Sequence, residues 1–376
     1  MSARFTQSVT VAVFATLCAC SSTERALVLD VSQIPTSAEE LVVRVTIANK
    51  TSEANVFPLP KGHGGAPQTL AVRVPKDSLG WTTAQVVARA GGCDIAGINN
   101  FDNLTNATPE TEKILMPLAP AVGPFPVCNF DRAPLMAYVQ AGSHIIGCDT
   151  QSDPSCASDE GPTQTVSLPP FQIDATEVLV GAYRDCVTAG ACTPALSNAN
   201  TVTITAQNGV DWGQASAFCK WMGKQLPTEA QWGAAARGTD DRTYPWGNDA
   251  PTCDLAEYAP TTNMPCSEDG GAPPYAAGKR EAGRSPYGAY DMAGNLDEWV
   301  ADWYAPVSSL SAQQIVDGGP SSGTFKIVKG GGAFDPAVLL RIASRIPIVS
   351  DGSQPDAGRP AAENLPLLGF RCALSR

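Results

Sequence analysis

The sequence predicts two folding units: a small all-β sandwich and, after it, a larger unit in which short strands, two capped helices and long loops are mixed. Three observations carry this. Up to about residue 119, runs rich in Val, Leu, Ile and Thr are separated by Pro, Gly, Asn and Ser at the spacing of short strands. A proline-rich joint, Pro117 to Pro126, then interrupts the pattern. Beyond it, two capping-box signatures follow one another in a chain otherwise crowded with turn residues. At 376 residues the chain is long for a single core, which fits two domains or three. Gly (34) and Pro (31) are abundant and only 16% of residues are charged, the balance of a loop-rich globular protein rather than a disordered one.

The first element, residues 1–19, reads as a signal peptide. After Arg4 an apolar segment, Val9 to Leu17, is too short to span a bilayer and leads into Leu17-Cys18-Ala19-Cys20. A Leu-x-Ala-Cys ending resembles a bacterial lipobox, which makes Cys20 the expected lipid-modified first residue of the mature protein, with residues 20–25 as a tether. The expected location is therefore the bacterial cell envelope, exported and membrane-anchored, facing the periplasm or the cell surface. An ordinary secretory signal would instead leave Cys20 a plain thiol.

Residues 26–119 form the expected sandwich, with strands at Leu27 to Val31, Leu41 to Ile47, Thr69 to Val74, Ala84 to Ala90 and Lys113 to Leu118. In Val43-Arg44-Val45-Thr46-Ile47 the side chains alternate apolar and polar, so one face turns inward. Strands at these intervals suggest an antiparallel sandwich of the immunoglobulin or transthyretin type. His63 lies in a glycine loop with no second ligand nearby and reads as an exposed loop residue.

After a linker at 120–134, the unit 135–376 begins with strand-like pieces at 136–142 and 171–178 around a long loop, then a short helix that includes Tyr183 to Thr188. Asp211-Trp212-Gly213-Gln214 opens a helix whose Trp212, Ala215, Phe218, Cys219 and Met222 share one face. Thr228-Glu229-Ala230-Gln231 opens a second, to about Arg237, after the breaker Pro227. Each is expected to pack by one stripe against a sheet. The rest is mostly loop, with one clear strand at Thr324 to Lys329.

Within that loop-rich remainder, Ser285 to Tyr304 sets Asp291, Asn295, Asp297 and Glu298 around Gly294, just before Trp299 and Trp303. Oxygen donors on a tight glycine turn suit a hard cation such as calcium, although Asn and Asp beside Gly are also ordinary turn chemistry. The spacing is not that of an EF-hand.

Export puts the cysteines in an oxidising compartment. Apart from Cys18 and Cys20 the chain holds Cys93, Cys128, Cys148, Cys156, Cys186, Cys192, Cys219, Cys253, Cys266 and Cys372, an even set. Close spacing favours Cys148 with Cys156, Cys186 with Cys192 and Cys253 with Cys266, without deciding the connectivity. A zinc site finds little support, with no CxxC pair and only His63 and His144 as histidines. The formal charge is −12 and no basic cluster could follow a phosphate backbone, so nucleic acid is not an expected partner.

The stretches MAYVQAG (136–142), DEGP (159–162), FQIDATEV (171–178), AFCKWMGKQLPTEAQWGAAARG (217–238), YPWGN (244–248), PYGAYDMAGNLDEW (286–299), KGGGAF (329–334) and LGFRCALSR (368–376), in that order, resemble the sulfatase-modifying-factor family, to which the formylglycine-generating enzymes belong. The resemblance covers 136 to the C-terminus and leaves out the N-terminal sandwich. It implies a compact α+β domain, poor in regular secondary structure and distantly similar to C-type lectins. It also implies one or two structural calcium ions. One would be held by the Asp291 carboxylate, the carbonyls of Gly294 and Leu296 and the Glu298 carboxylate, with Asp291 standing where the family usually has Asn. The other would use Glu257, the Tyr258 carbonyl, Asp269 and the Gly271 carbonyl. A disulfide between Cys219 and Cys372 follows from the same resemblance.

The departure concerns the chemistry. Oxidising members of the family carry two cysteines soon after a Gly-Gly-Ser motif, and these bind copper and activate oxygen to convert a substrate cysteine to formylglycine. Here the stretch reads Gly330-Gly331-Gly332-Ala333-Phe334-Asp335-Pro336-Ala337-Val338-Leu339-Leu340-Arg341, with no cysteine between Cys266 and Cys372. Cu(I) requires soft ligands, so copper is not expected and no catalytic residue is assigned. With two histidines, neither histidine-ligated iron nor a histidine-based hydrolase centre is supplied; His144 in Ser143-His144-Ile145-Ile146 reads as a structural strand residue. Asp297, Glu298 and Asp302 lie close enough in sequence for carboxylate catalysis, but the calcium and turn readings account for them. The expectation is a non-catalytic module that binds or scaffolds a peptide or glycan. Its rival is a protein-modifying enzyme working at the same cleft through other residues.

Overall fold

The computed structural model describes residues 11–12, 24–32, 39–47, 50–51, 55–59, 66–75, 80–90, 93–104, 111–117, 119–120, 136–195, 205–261, 264–266, 273–350 and 367–375. Cys20, His63, Cys128, Asp269 and Gly271 lie outside them. The chain divides into two compact units, Met1–Asn129 and Phe130–Arg376, so the division falls within the expected linker.

In the N-terminal unit, one sheet has the order Val11–Ala12, Gln68–Pro75, Glu24–Ser32, Thr111–Pro117. In a second, Gly80–Ala90 lies between Cys93–Leu104 and Glu40–Ile47, and Asn55–Pro58 also pairs with Glu40–Ile47. Leu29, Val31 and Leu70 are buried on the first sheet, and Leu41, Val43, Phe57, Val86 and Ala88 on the second. The two-residue spacing of Leu29/Val31, Leu41/Val43 and Val86/Ala88 is the strand period. Two expectations are corrected. Glu24–Ser32 and Thr111–Pro117 run parallel, so the unit is not purely antiparallel. The long strand Cys93–Leu104 was not expected, because CDIAGINNFDNL is rich in residues with poor strand propensity. Its pairing over most of its length with Gly80–Ala90 overrides that preference. Of the expected leader, Val11–Ala12 pair with Val72 and Ala71.

The C-terminal unit contains, in chain order, β1 (Met136–Val139), β2 (Gly142–Ile146), β3 (Gln164–Leu168), β4 (Phe171–Asp174), α1 (Val180–Thr188), α2 (Trp212–Trp221), α3 (Glu229–Arg237), β5 (Asp297–Trp303), α4 (Ala312–Asp317), β6 (Phe325–Lys329), β7 (Ile346–Val349), β8 (Leu368–Phe370) and β9 (Ala373–Ser375). Within it β1 pairs with β4 and β4 with β9, all antiparallel, and β2 pairs with β3. A four-stranded sheet has the order β7-β6-β5-β8, with β5 and β8 parallel. Only Arg371 and Cys372 separate β8 from β9, so the chain passes from one sheet to the other there.

Both capping boxes form. Asp211 accepts from the Gln214 N–H at 2.7 Å and Thr228 from the Gln231 N–H at 3.1 Å, and each glutamine side chain returns a bond to the cap N–H. Helix α2 buries Gln214, Ala215, Phe218 and Cys219, while Trp212 and Met222 of the expected stripe are partly buried against the same cluster. Helix α3 has no such stripe: all nine of its residues are buried. Its small side chains, Ala230, Ala234, Ala235 and Ala236, let side chains of the strands, of α4 and of neighbouring loops close around it. The region expected to be mostly loop also holds β5, α4 and β7. In β5 the DEWVADW run is buried at its first four positions, which a strand covered on both faces requires and which gives no alternation to read.

Candidate functional site

The stretch 285–304 is a turn that feeds a buried strand. Asp291 and Asn295 adopt φ of 52° and 63°, and Gly294 has φ of 89°. At Gly294 a Cβ would stand 2.3 Å from the Glu257 carbonyl oxygen, so only glycine allows this approach. The turn is fastened from three sides: the Asn295 N–H donates to Glu257 O at 2.8 Å, the Gly294 N–H to Gly330 O at 3.0 Å, and the Ala333 N–H to Asn295 O at 3.0 Å. These bonds draw the 257, 294 and 330–333 segments together.

Beneath the turn, three carboxylates share one arginine. Glu298, fully buried on β5, accepts from Arg371 Nε and Nη2 at 2.6 Å each and from Trp232 Nε1 at 2.9 Å. Arg371 also donates to the carbonyls of Asp174 at 3.0 Å and Tyr290 at 2.8 Å. Glu177 Oε1 accepts from Asn295 Nδ2 at 2.9 Å, while Glu177 Oε2 is buried without a protein partner. Asp291 Oδ2 accepts from the Gly278 N–H at 2.6 Å. Burial raises all three carboxyls. Glu177 is raised furthest, by desolvation and then by the charges of Asp291 and Glu298, whereas Arg371 and Trp232 offset part of the rise at Glu298.

The first expected calcium set, Asp291, Gly294, Leu296 and Glu298, is thus drawn into one buried turn. Its donors are hard oxygens and the buried Glu177 Oε2 has no donor, which suits a divalent cation, while Arg371 and Trp232 engage both Glu298 oxygens and the Gly294 carbonyl accepts the Leu296 N–H at 2.9 Å. The second set is engaged likewise. The Glu257 carboxylate is engaged by Arg280, at 3.0 Å from Nε and 2.7 Å from Nη2, and the Tyr258 carbonyl accepts from the Cys266 N–H at 2.7 Å. Its remaining members, Asp269 and Gly271, are outside the described residues.

The glycine loop sits against this turn. Gly330 and Gly331 have φ of 91° and 68°, and Asp335 Oδ2 accepts the Gly332 N–H at 2.7 Å, closing 332–335 on itself. A Cβ on Gly331 would meet the Leu339 carbonyl oxygen at 3.0 Å and Leu340 Cδ1 at 3.2 Å, and one on Gly332 would meet Leu367 Cδ1 at 3.6 Å. The Leu340 and Leu367 side chains, the Leu339 carbonyl and the Asp297 carboxylate, whose Oδ2 would lie 3.4 Å from a Gly332 Cβ, line the space around these glycines. No sulfur reaches it: among the described residues of this unit every cysteine is in a disulfide, Cys148–Cys156, Cys186–Cys192, Cys219–Cys372 or Cys253–Cys266. Among the described residues, one group of side chains of metal-ligand type converges, Cys148, Cys156 and Glu160. Its sulfurs are bonded to each other and Glu160 is held by Arg341 through two contacts of 2.8 Å, so it is a cross-link rather than a metal centre.

Behind Gly330, Lys329 begins a second buried charge network. Glu229 accepts from Arg345 at 2.8 and 2.7 Å and from Lys329 at 3.3 Å. Burial alone would raise its carboxyl, but these two cations override it and hold Glu229 at about 2. Asp302 Oδ2 accepts the Glu229 N–H at 2.7 Å, and burial followed by the Glu229 charge pushes Asp302 up to about 7. Asp297, Glu298 and Asp302, all on β5, therefore do not form one carboxylate centre; Glu298 and Asp302 serve separate networks. His144 is buried in β2 with Nδ1 3.2 Å from Gly238 O, the structural strand residue the sequence suggested. Sequence reasoning missed Glu177, Trp232 and Arg371 as members of the site, although FQIDATEV, EAQW and LGFRC carry them; nothing in a linear motif says that its charge will be buried.

Three comparisons place this geometry among known proteins. The model of the sulfatase-modifying factor enzyme 1-like domain matches residues 124–375, well over half of the chain. The formylglycine-generating enzyme of Thermomonospora curvata is 37% identical over 181 residues, covering 44% of this chain and 54% of that protein. Mouse inactive C-alpha-formylglycine-generating enzyme 2 is 32% identical over 183 residues, covering 44% and 48%. The chain thus spans about half the length of the curated relatives it matches. Among solved structures, PvdO from Pseudomonas aeruginosa aligns over 66% of this chain and 96% of its own with a TM-score of 0.52 at 20% identity, a likeness of fold alone. With a matched segment that contains all the strands β1 to β9, the glycine loop and the buried Glu298–Arg371 pair, the chain belongs to the family defined by the sulfatase-modifying factor enzyme 1-like domain.

Proposed function

We propose that this is a lipid-anchored envelope protein whose C-terminal domain is a non-catalytic binding or scaffolding module for a peptide or glycan. The observation that carries the reading is the chemistry around Gly330–Phe334: the stretch 330–341 offers no thiol, the Leu340 and Leu367 side chains border Gly331 and Gly332, and among the described residues of this unit every cysteine is cross-linked. Aliphatic carbon cannot ligate Cu(I) or carry electrons to oxygen. Family membership leaves the activity open, since the matched relatives include proteins named as formylglycine-generating enzymes and proteins named as inactive.

In this reading Asp291, Gly294, Leu296 and Glu298 hold a structural calcium ion, with Glu257, Tyr258, Asp269 and Gly271 as a second candidate set. The ion would neutralise buried carboxylates and stiffen a turn that has little regular secondary structure. The protein's own groups fasten the same turn to Gly330, so the binding face and the turn are mechanically one piece. Anchoring would run through Cys20, and loss of radiolabelled palmitate incorporation in Cys20→Ala cells tests that part.

Incubation of the purified protein with a Cys-x-Pro-x-Arg peptide, copper and oxygen tests the catalytic question. The expected result is no aldehyde above the copper-only control. Aldehyde formation above it would replace this reading with that of a protein-modifying enzyme.

A further inference from the structure

We propose that Cys148 and Cys156, a cross-link in the oxidised chain, form a zinc site together with Glu160 once the bond between their sulfurs is reduced. This does not rest on the binding-module reading.

The first observation is a convergence of ligand types. Cys148 Sγ, Cys156 Sγ and a carboxylate oxygen of Glu160 all lie within 4.8 Å of one another. Among the described residues, no other disulfide has a third group of this kind in reach. Cys148 Sγ is 3.3 Å from Glu160 Oε2. A sulfur in a disulfide has no proton to donate, so in the oxidised chain this contact sets a carboxylate oxygen against sulfur with no shared hydrogen or cation. Reduction followed by metal uptake supplies the cation.

The second observation is that bonds other than the one between the sulfurs hold the cluster. The Cys148 N–H donates to Glu160 O at 3.2 Å, the Cys156 N–H to Asp153 O at 3.0 Å and the Glu160 N–H to Ala157 O at 3.1 Å. Glu160 Oε2 accepts from the Ala157 N–H at 2.9 Å and from Arg341 Nη1 at 2.8 Å, and Oε1 accepts from Arg341 Nη2 at 2.8 Å. These three donors meet about four lone-pair sites, so the carboxylate keeps one for a metal. A ligating carboxylate is commonly oriented by such hydrogen bonds.

The third observation is access. Cys148 and Glu160 are buried, whereas Cys156 is half-buried between the exposed Ser155 and Ala157. A dithiol reductant supplies the electrons. Its thiolate attacks Cys156 Sγ, the bond to Cys148 breaks with the electron pair going to Cys148 Sγ, and the reductant's second thiolate displaces Cys156 from the mixed disulfide. The reductant leaves as its own disulfide and its two protons pass to the two cysteines. Zn²⁺ then displaces those protons into solvent. Two thiolates, one carboxylate and a water on the solvent side of Cys156 make up the four-coordinate donor set that suits zinc. The softer Cu(I) takes the sulfurs and leaves the carboxylate, so the share of Glu160 separates the two ions.

The test uses the full mature chain, either oxidised or treated with dithiothreitol and then freed of it, with the opened cysteines identified by alkylation and mass spectrometry. Co²⁺ serves as a spectroscopic substitute for Zn²⁺. The reduced chain is expected to show a thiolate-to-cobalt charge-transfer band that Zn²⁺ abolishes, and the oxidised chain none; binding to carboxylates elsewhere gives no such band. Competition with a chromophoric chelator should show zinc held about 100-fold more tightly by the reduced chain than by the oxidised one, and about tenfold less tightly by reduced Glu160→Gln. A band that survives in Cys148→Ser with Cys156→Ser overturns the assignment, because other opened cysteines then hold the metal. So does a folded chain with Cys148 and Cys156 open but no band, or a bond that opens only when circular dichroism shows unfolding. Unchanged zinc affinity in Glu160→Gln overturns the three-ligand site in favour of sulfur alone. The wild-type spectra decide the proposal even where a variant fails to fold.

Discussion

Arg371 and Glu298 meet side-on, with two contacts of 2.6 Å and neither side chain exposed. The pair links the segment between β8 and β9 to the start of β5, and the Arg371 charge also offsets part of the rise at Glu177 and Asp291. Removing one partner leaves the other buried and uncompensated, which typically costs about 3–5 kcal/mol. Arg371→Met is accordingly expected to lower the melting temperature more than any exposed Arg→Met change, such as Arg184→Met. Thermal unfolding by circular dichroism decides it; equal shifts for the two would show the pair to be dispensable.

Calcium removal should resemble damage to the same turn. Chelation by EDTA is expected to lower the melting temperature of the wild-type chain, since a ligand bound only to the folded state stabilises by mass action. Glu298→Ala should lower it without chelator and abolish the further response to EDTA. If wild-type protein melts identically with and without chelator, the 291–298 segment is an ordinary turn, fastened by Arg371 and by its backbone bonds to Glu257, Gly330 and Ala333.

Asp302 gives a pH dependence of defined sign. Its carboxyl sits at about 7 when folded against an ordinary 3.8, because of burial and then the Glu229 charge. The folded state binds this proton more tightly than the unfolded chain does, so stability falls as pH rises from about 4 to about 7 and levels off above. Glu229, held at about 2, acts the opposite way only below its ordinary range, whereas Glu177, Asp291 and Glu298, also raised by burial, act in the same sense as Asp302, so the Asp302 share is the difference between wild type and variant. Asp302→Asn keeps an acceptor for the Glu229 N–H and should flatten the profile and be the more stable form at pH 8. Urea unfolding of both proteins at pH 5, 6.5 and 8 measures this, and an unaltered slope in the variant would rule it out.

The glycines separate two kinds of constraint. Gly294→Ala combines a left-handed φ with a 2.3 Å approach to the Glu257 carbonyl and should destabilise by about 1–3 kcal/mol. Gly332→Ser restores the family's usual residue, and its Cβ would meet Asp297 Oδ2 at 3.4 Å, an ordinary contact; a change within about 0.5 kcal/mol is expected. Denaturant midpoints of the two variants check the contrast.

The disulfides should rank by the loop each closes. Cys219–Cys372 spans 153 residues and joins α2 to the β8–β9 crossing, whereas Cys186–Cys192 spans 6. Replacing the first pair by alanine is expected to cost about 2–5 kcal/mol and the second pair less, by equilibrium unfolding. A larger loss for the short loop would point to native-state contacts rather than chain entropy.

By itself the sequence determined what depends on neighbours in the chain. Capping boxes at Asp211 and Thr228 and the two-residue alternation of Leu41 and Val43 follow from local geometry, and each formed; close spacing favoured Cys148 with Cys156 without deciding it, and that bond is present. The family was legible too, because its motifs are contiguous, and so was the missing thiol pair. What the tertiary structure alone decided is which charges lose water. Glu177, Glu298 and Arg371 come from three distant segments, and only their convergence inside a packed core turns ordinary acids and a base into a charge cluster. For the same reason β5 reads as a loop in sequence: buried on both faces, it has no polar side to alternate with, and its partners Phe325–Lys329 and Leu368–Phe370 lie far along the chain.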